Sequence, residues 1–512
     1  MNDTLSPFKE IAASNQWSAI LPEISLGVLA LALLVLEILF PRHRRKLIPG
    51  VAIFGQLLVL FWLLLFYRDG GGFLGQETFA GMLFHDELGQ AMRVFFLLTS
   101  LLVGYLGTIT LAGKPLPKVE FYHITLVVTA ALMLLAQSNH FVMFFISLET
   151  VTVGFYVLVS YFRHQSISLE AGLKYLILSG VSSAILLFGI ALLYGIGGSP
   201  LLAGASDDAM NFGALNAFLK NHPENGLALI GMVMVIAGVA FKIAAFPFQI
   251  WVPDVYQGAS TPVTAFLAVG SKAAGFAVLL TLVLKVFQPM EAVLVPVLTV
   301  LATLTILFGN IAALTQRNTK RLMGLSGVAH AGYLLVGVIA SLYVPWAQGA
   351  VLFYLFVYLL ASFAVFGVMA HLSPEDGTGD ELEDYLNLAR DRPFLAVVLV
   401  IGLGSLAGIP PLAGFIGKVL IFIAAFQAGL YWLLGVSIFG VVLSIYYYFG
   451  WIKTAVFREW KVAPDDEDEQ EAPRREHREI APLARLILGG LAVATVVLGF
   501  FQGPLSDWLG RL

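Results

Sequence analysis

The chain contains no cysteine among its 512 residues. That absence excludes disulfides, thiol catalysis and iron–sulfur clusters held by cysteine. Charge is also scarce: 12% of residues are Asp, Glu, Lys or Arg, against about 25% in an average soluble domain. A soluble chain of this length would divide into domains and expose charged surface throughout. No glycine-rich phosphate loop of the P-loop or dinucleotide kind occurs, so nothing points to direct ATP or NAD binding. The nine histidines show no metal-ligand spacing, and His43, His164, His222 and His477 fall in polar connections. No metal site, cofactor site or nucleic-acid-binding feature is predicted in this chain.

What the chain has in excess is apolar length. It is 59% hydrophobic, and the apolar residues fall in blocks such as Leu47–Tyr67 and Phe353–Ala370. Blocks of that length cross a hydrocarbon core as helices. The fold class predicted is an all-α polytopic membrane protein with fourteen spans. They lie at about 20–40, 47–67, 90–112, 121–138, 140–161, 170–195, 227–250, 262–286, 292–314, 323–343, 348–371, 394–427, 430–452 and 482–503. The N-terminus is polar and not basic, and the first apolar block is too long for a signal sequence, so it reads as a retained span. Two spans carry internal breaks. Pro247 interrupts the seventh, and Pro410 and Pro411 interrupt the twelfth, because proline removes a donor from the helix ladder.

Basic residues predict the orientation. Loops after odd-numbered spans hold Arg42, Arg44, Arg45 and Lys46, then Lys114 and Lys118, Arg163, Arg317, Lys320 and Arg321, Arg390 and Arg392, and Lys453, Arg458, Lys461, Arg474, Arg475 and Arg478. The opposite side holds only Lys9, Arg68, Arg93, Lys220, Lys285 and Arg511. This bias places the odd loops in the cytoplasm and both termini outside it. The acidic run Asp465–Glu471 reads as a solvated cytoplasmic loop. The stretches Gly70–Gly72 and Ser199–Asn225 read as outside loops. Four segments are predicted: an N-terminal three-helix segment (1–114), two halves (115–290 and 291–455) related as inverted five-helix repeats with one broken helix each, and a last loop and span (456–512).

A charge at the centre of a membrane helix costs roughly 2.5–3.5 kcal/mol on insertion scales, so such residues face a bundle interior or a cavity. Within the apolar runs this selects Glu149, Lys242, Lys272 and Lys418. His330 lies inside the tenth span, as a neutral core histidine or as a member of a path. Glu170 and Lys174 have the i, i+4 spacing of a helical ion pair. Glu37 reads as an interfacial residue near Arg42. Desolvation disfavours the charged form of a buried lysine and a nearby carboxylate restores it, so such a lysine changes protonation state as its partner moves. Several of them bridged by water form a proton relay. Pro247, Asp254, Pro410 and Pro411 are the supporting residues at the breaks.

The stretch FKIAAFPFQIWVPDVYQGASTPVTAFLAVGSKAAGF, from Phe241 to Phe276, resembles the antiporter-like membrane subunits of respiratory complex I and of multisubunit cation/proton antiporters. The resemblance spans about residues 115–455 and includes TQRNTKRLMGLSGVAHAGYLL at Thr315–Leu335 and GIPPLAGFIGKVLIF at Gly408–Phe422. PDVYQG, followed by the Ser271-Lys272 pair, is similar to the subunit N branch. The end of the chain after the fourteenth span, without a long lateral helix, points away from subunit L.

The resemblance implies that Glu149 pairs with Lys242, that Lys272 links two half-channels, that His330 lies between the central lysines and that Lys418 serves the outlet. Glu170 and Lys174 match a further lysine site of that branch. NADH oxidation and quinone reduction would then occur in partner subunits that carry the flavin, the iron–sulfur clusters and the quinone, while this chain moves protons in the plasma membrane beside subunit M-like and subunit K-like neighbours. The other reading is a subunit of a non-redox cation/proton antiporter. A membrane scaffold would explain the spans but not the buried lysines.

Overall fold

A computed structural model describes residues 12, 15–41, 44–67, 70–112, 114, 116, 118–373, 380–457 and 480–509. The run Asp465–Glu471, together with Lys9, Arg42, His43, Arg68, Arg458, Lys461, Arg474, Arg475, His477, Arg478 and Arg511, lies outside the described residues.

The described residues include 13 helices long and apolar enough to cross a membrane. The first six are Trp17–Leu39, Ile48–Leu65, Glu87–Thr110, Lys118–Ala136, Phe141–Val159 and Ser166–Gly197. The seventh is Gly226–Ile243, followed by Thr261–Val286, Gln288–Ala313, Thr319–Ala340 and Ala347–Leu372 as the eighth to eleventh. Two shorter helices, Pro393–Ala407 and Ala413–Gln427, form the two parts of the twelfth, and Tyr431–Val456 and Pro482–Phe500 complete the bundle. Helices satisfy every backbone group internally, which is why apolar runs of this length adopt them in lipid.

Burial separates a centre from a periphery. The most apolar stretch of the tenth span is 100% buried, against 28% for the fourteenth. The eighth and eleventh spans are also almost wholly enclosed. The ninth and tenth spans pack through Gly309, where a Cβ would stand 2.5 Å from the Ala329 nitrogen. Small residues at such crossings let helix backbones approach closely in membranes. The central spans are the ones that carry Lys272 and His330.

Both predicted breaks are present. The seventh helix stops at Ile243, with Ala244 left-handed (φ 61°), and the chain resumes as a short helix at Val252–Gly258. The twelfth stops at Ala407, with Gly408 at φ +85°. The Phe246–Pro247 and Pro410–Pro411 peptide bonds are cis. A π-helical turn at Leu267–Ser271, which the sequence reading lacked, directly precedes Lys272. Such turns are frequent at functional positions.

The connections after even-numbered spans gather on one face and are more structured than loops. A hairpin pairs Glu77–Thr78 with Leu83–Phe84, and a helix occupies Phe212–Asn221. Backbone bridges join Leu83 to Ser138 and His140 to Asn211.

Two residues placed in the outside loops belong elsewhere. Arg93 lies within the third span and is fully buried. Its guanidinium is bidentate to Glu23 of the first span, at 2.7 and 3.1 Å, and Gln137 donates to the same carboxylate at 3.0 Å. Lys285 ends the eighth span and donates to Asp86 at 2.6 Å. Both cations have a partner in the fold, so neither counts as a free loop charge.

Candidate functional site

The three lysines of the apolar runs are all buried, and each is held differently. Lys242 occupies the last turn of the seventh helix and donates to the Thr152 hydroxyl of the fifth span. The sequence reading paired it with Glu149; the hydrogen bond goes to Thr152, and Glu149 acts on the ammonium through space. Glu149 accepts instead from Ser183 of the sixth span at 2.5 Å. Thr152 stands three residues beyond Glu149 on the same helix, so it occupies the position nearest the ammonium. Glu149 also lines a groove of about 550 Å³ beside His123, between the fourth and fifth spans.

The break beside Lys242 is satisfied locally. The Phe246 amide donates to Thr305 of the ninth span at 3.0 Å, and the Trp251 indole donates to the Phe241 carbonyl at 3.3 Å. Breaks in membrane helices are tolerated where such partners take up the freed groups.

Lys272 donates to the Gly327 carbonyl of the tenth span at 2.6 Å. A Cβ at residue 327 would meet the Lys272 nitrogen at 2.7 Å and the Tyr358 hydroxyl at 3.1 Å, so glycine leaves the space both groups use. Lys418 donates to the Leu406 and Ala407 carbonyls at 2.9 and 2.8 Å. These are the last carbonyls of the first part of the twelfth span, freed by the Gly408–Pro411 interruption. A helix C-terminus carries partial negative charge, so an ammonium there is favoured.

His330 stands between these two lysines. Its Nδ1 lies 2.6 Å from the Tyr354 hydroxyl and its Nε2 lies 3.0 Å from the Tyr448 hydroxyl. Its ring is 5.1 Å from Tyr358, which faces the Lys272 ammonium at 5.6 Å. On the other side it is 6.0 Å from Tyr333, which faces the Lys418 ammonium at 5.4 Å. Lysine, phenol, imidazole, phenol and lysine thus follow one another through the enclosed centre of the bundle. The imidazole has a hydroxyl on each nitrogen, so it can take a proton at one and release one at the other.

Glu170 and Lys174 form the predicted pair at 2.6 Å, but at the rim of the bundle. Lys174 also binds Asp254 at 2.8 Å, and Asp254 binds Arg321 at 2.8 Å. Asp254 thereby ties the sixth span to the tenth. Glu37 pairs with Arg45 at 3.4 Å.

The tyrosines, Thr152 and Ser183 are absent from the sequence reading. The available signal is chemical: a phenol inside an apolar run needs a hydrogen-bond partner. Tyr354 and Tyr358 have i, i+4 spacing, and Tyr447 and Tyr448 are adjacent. Among the described residues no group of three or more His, Asp or Glu is placed to hold a metal ion.

Residues 138–444 match the family described as NADH:quinone oxidoreductase/Mrp antiporter, transmembrane. NADH-quinone oxidoreductase subunit N 1 of Opitutus terrae is 58% identical over 506 residues, covering 99% of this chain and 99% of that protein. A chain of respiratory complex I from Thermus thermophilus, solved with bound aureothin, is 29% identical with a TM-score of 0.74, covering 95% of this chain and 99% of its own length. A chain of the Mrp complex from a Dietzia species has the same TM-score of 0.74 at 20% identity, with 96% of each chain covered. At that identity the likeness shows the fold alone, and fold does not separate a redox complex from an antiporter. Identity along the whole chain does, and by it this chain belongs to the subunit N family of NADH-quinone oxidoreductases.

Proposed function

We propose that this chain translocates protons through the line Lys242, Lys272, His330 and Lys418, driven by NADH oxidation and quinone reduction in other subunits. The chain itself performs no redox step. The observation that carries the reading is the placement of His330 between Lys272 and Lys418 in the enclosed centre of the bundle, with the Tyr358 and Tyr333 rings standing between it and each lysine. A structural role would not require two buried lysines there with no carboxylate partner among the described residues. Desolvation makes each charge costly, so a proton arriving at one group disfavours a second on its neighbour and pushes charge along the line.

Lys242 and Glu149 form the input. They lie on the seventh and fifth spans with Thr152 and Ser183 as their direct partners, and because Glu149 and Thr152 share the fifth span, its movement alters both at once. Lys272 receives the proton, water completes the links, and His330 passes it by exchanging its protonated nitrogen between the Tyr354 and Tyr448 sides. Lys418 releases it from the second break. Lys174, at the rim with Glu170 and Asp254, serves proton intake from the cytoplasm.

The remaining assignments follow from this reading. The two antiporter-like halves, 115–290 and 291–455, each supply one broken helix, with the three N-terminal spans packed beside them. Flavin, iron–sulfur clusters and quinone reside in partner subunits, with subunit M-like and subunit K-like chains as membrane neighbours. The complex lies in the plasma membrane, with both termini outside the cytoplasm as the basic residues predict.

The test is proton uptake by vesicles holding the assembled complex with Lys242→Ala. NADH oxidation by an artificial acceptor should be retained and NADH-driven proton uptake should fall. Full uptake in the assembled variant would overturn the relay. Exchange of Na+ or K+ for protons in a complex without redox centres would move the chain to the antiporter class.

A further inference from the structure

Asn310 is the uncharged member of this centre that the relay leaves unused. It lies in the ninth span and is completely buried. Its amide nitrogen donates to the Ile306 carbonyl at 2.8 Å and to the Tyr333 hydroxyl at 3.1 Å. Its amide oxygen accepts from the Tyr447 hydroxyl at 3.2 Å. Each of these partners has a consequence further on. Tyr333 faces Lys418 with its ring and meets the His330 ring in a T-shaped contact. Tyr447 packs on Tyr448 at 4.6 Å, and Tyr448 meets His330 Nε2. One amide therefore touches the arm toward Lys418 and the arm toward His330.

The amide has only one orientation that suits this setting. A carbonyl accepts and never donates, so the Ile306 oxygen requires the NH2 end. The same NH2 then faces Tyr333, which must present its oxygen as an acceptor. The amide oxygen is left for Tyr447, which must point its proton at it. Two hydroxyl rotors, free in isolation, are set by one side chain. The thirteenth span makes room for the arrangement at Gly440, where a Cβ would stand 2.8 Å from the Tyr333 hydroxyl and 2.9 Å from the Asn310 amide nitrogen.

We propose that Asn310 is a positioning residue of the proton path: it holds the Tyr333 ring against Lys418 and commits the Tyr447 proton away from the Tyr448–His330 contact. This rests on the relay reading of Lys272, His330 and Lys418. A ring face within about 6 Å of an ammonium stabilises its charged form. Loss of the amide releases Tyr333 and removes part of that stabilisation. The titratable or charged groups facing this cluster are Lys272, His330, Tyr354, Tyr358, Lys418, Tyr447 and Tyr448, from the eighth, tenth, eleventh, twelfth and thirteenth spans. The effect therefore appears in how proton transfer responds to pH.

The experiment measures NADH-driven proton uptake against pH in vesicles with the complex carrying Asn310→Leu, Tyr333→Phe or both, with Lys418→Arg as reference. Asn310→Leu should lower uptake by about fivefold, the worth of one neutral hydrogen bond, and displace the alkaline limb of the profile toward lower pH. Tyr333→Phe should displace it likewise, and the double variant should be no worse than Asn310→Leu alone. An equal loss at every pH, multiplying with that of Tyr333→Phe, would overturn the inference and leave Asn310 a packing residue.

If Asn310→Leu does not assemble, Tyr447→Phe keeps the ring and removes the hydroxyl. A displaced profile there supports the proposal and an unmoved one defeats it. Lys418→Arg distinguishes the two levels, because it keeps donors for the Leu406 and Ala407 carbonyls and stays charged. Its loss of uptake beside an unmoved Asn310→Leu profile defeats this inference alone, whereas full uptake in Lys418→Arg defeats the relay and this inference with it.

Discussion

Lys242 donates its hydrogen bond to Thr152, one helical turn beyond Glu149, and not to Glu149 itself. The carboxylate is held by Ser183. The acid and the base of the input are therefore separated by hydroxyl groups, and their mutual attraction acts through space.

Thr152 should for that reason matter to transport. Thr152→Val keeps the shape and removes the hydroxyl that accepts from the ammonium, and a hydrogen bond to a charged group is worth about 1.5–3 kcal/mol. NADH-driven proton uptake should fall in Thr152→Val and return in Thr152→Ser. Uptake at the parent level in the assembled valine variant would show that the hydroxyl plays no part.

Lys418 has two separable duties, capping the Leu406 and Ala407 carbonyls and exchanging a proton. Arginine keeps donors for the carbonyls but stays charged throughout the accessible pH range. Lys418→Arg should therefore assemble near the parent level on native gels yet fail in proton uptake. Lys418→Ala should lose both, since each buried carbonyl left unsatisfied costs about 1–3 kcal/mol. Normal uptake by Lys418→Arg would exclude proton release at this residue.

Gly408 permits the second break. Its φ is +85°, and a Cβ there would meet Lys418 Cδ at 2.9 Å. The left-handed conformation costs an L-residue about 1–2 kcal/mol. Gly408→Ala should lower the thermal stability of the complex and reduce uptake, because it displaces the Lys418 side chain. The control Gly435→Ala, at a position with open space around it, should do neither.

The outer hairpin should be sensitive to acid. His85 lies just before the third span, with its Nε2 on the Thr78 hydroxyl at 2.9 Å. Burial, and then the Arg93 guanidinium, push its pKa below the ordinary 6.5. A folded-state value below the unfolded one means that the unfolded form binds the proton more readily. The contribution to stability is thus complete above about pH 6.5 and is lost as pH falls through the folded value. The protection of residues 77–84 from hydrogen exchange, relative to the intrinsic rate at each pH, should fall below pH 6.5 and should do so less in His85→Phe. Protection that is flat with pH in both proteins would contradict the buried neutral imidazole.

The apolar blocks determined by themselves that this chain crosses a membrane repeatedly, because bilayer thickness sets helix length and hydropathy adds up locally along the chain. Prolines 247, 410 and 411 likewise marked both breaks, since the missing amide acts within one helical turn. The buried lysines were legible for the same reason, as charges inside runs that tolerate none.

What each lysine touches was not legible, because the partners are remote in sequence: Thr152 is 90 residues from Lys242, and Gly327 is 55 from Lys272. Arg93 illustrates the limit. Near the end of an apolar run it reads as a loop charge, and only the packing of the first span against the third places Glu23 on it. Asn310 and the tyrosines carry no charge to betray them. Their role arises where the ninth, tenth and thirteenth spans meet, at a contact between residues 137 positions apart. Hydrogen-bond geometry at such a meeting point is a property of the assembled bundle, and tertiary structure alone decided it.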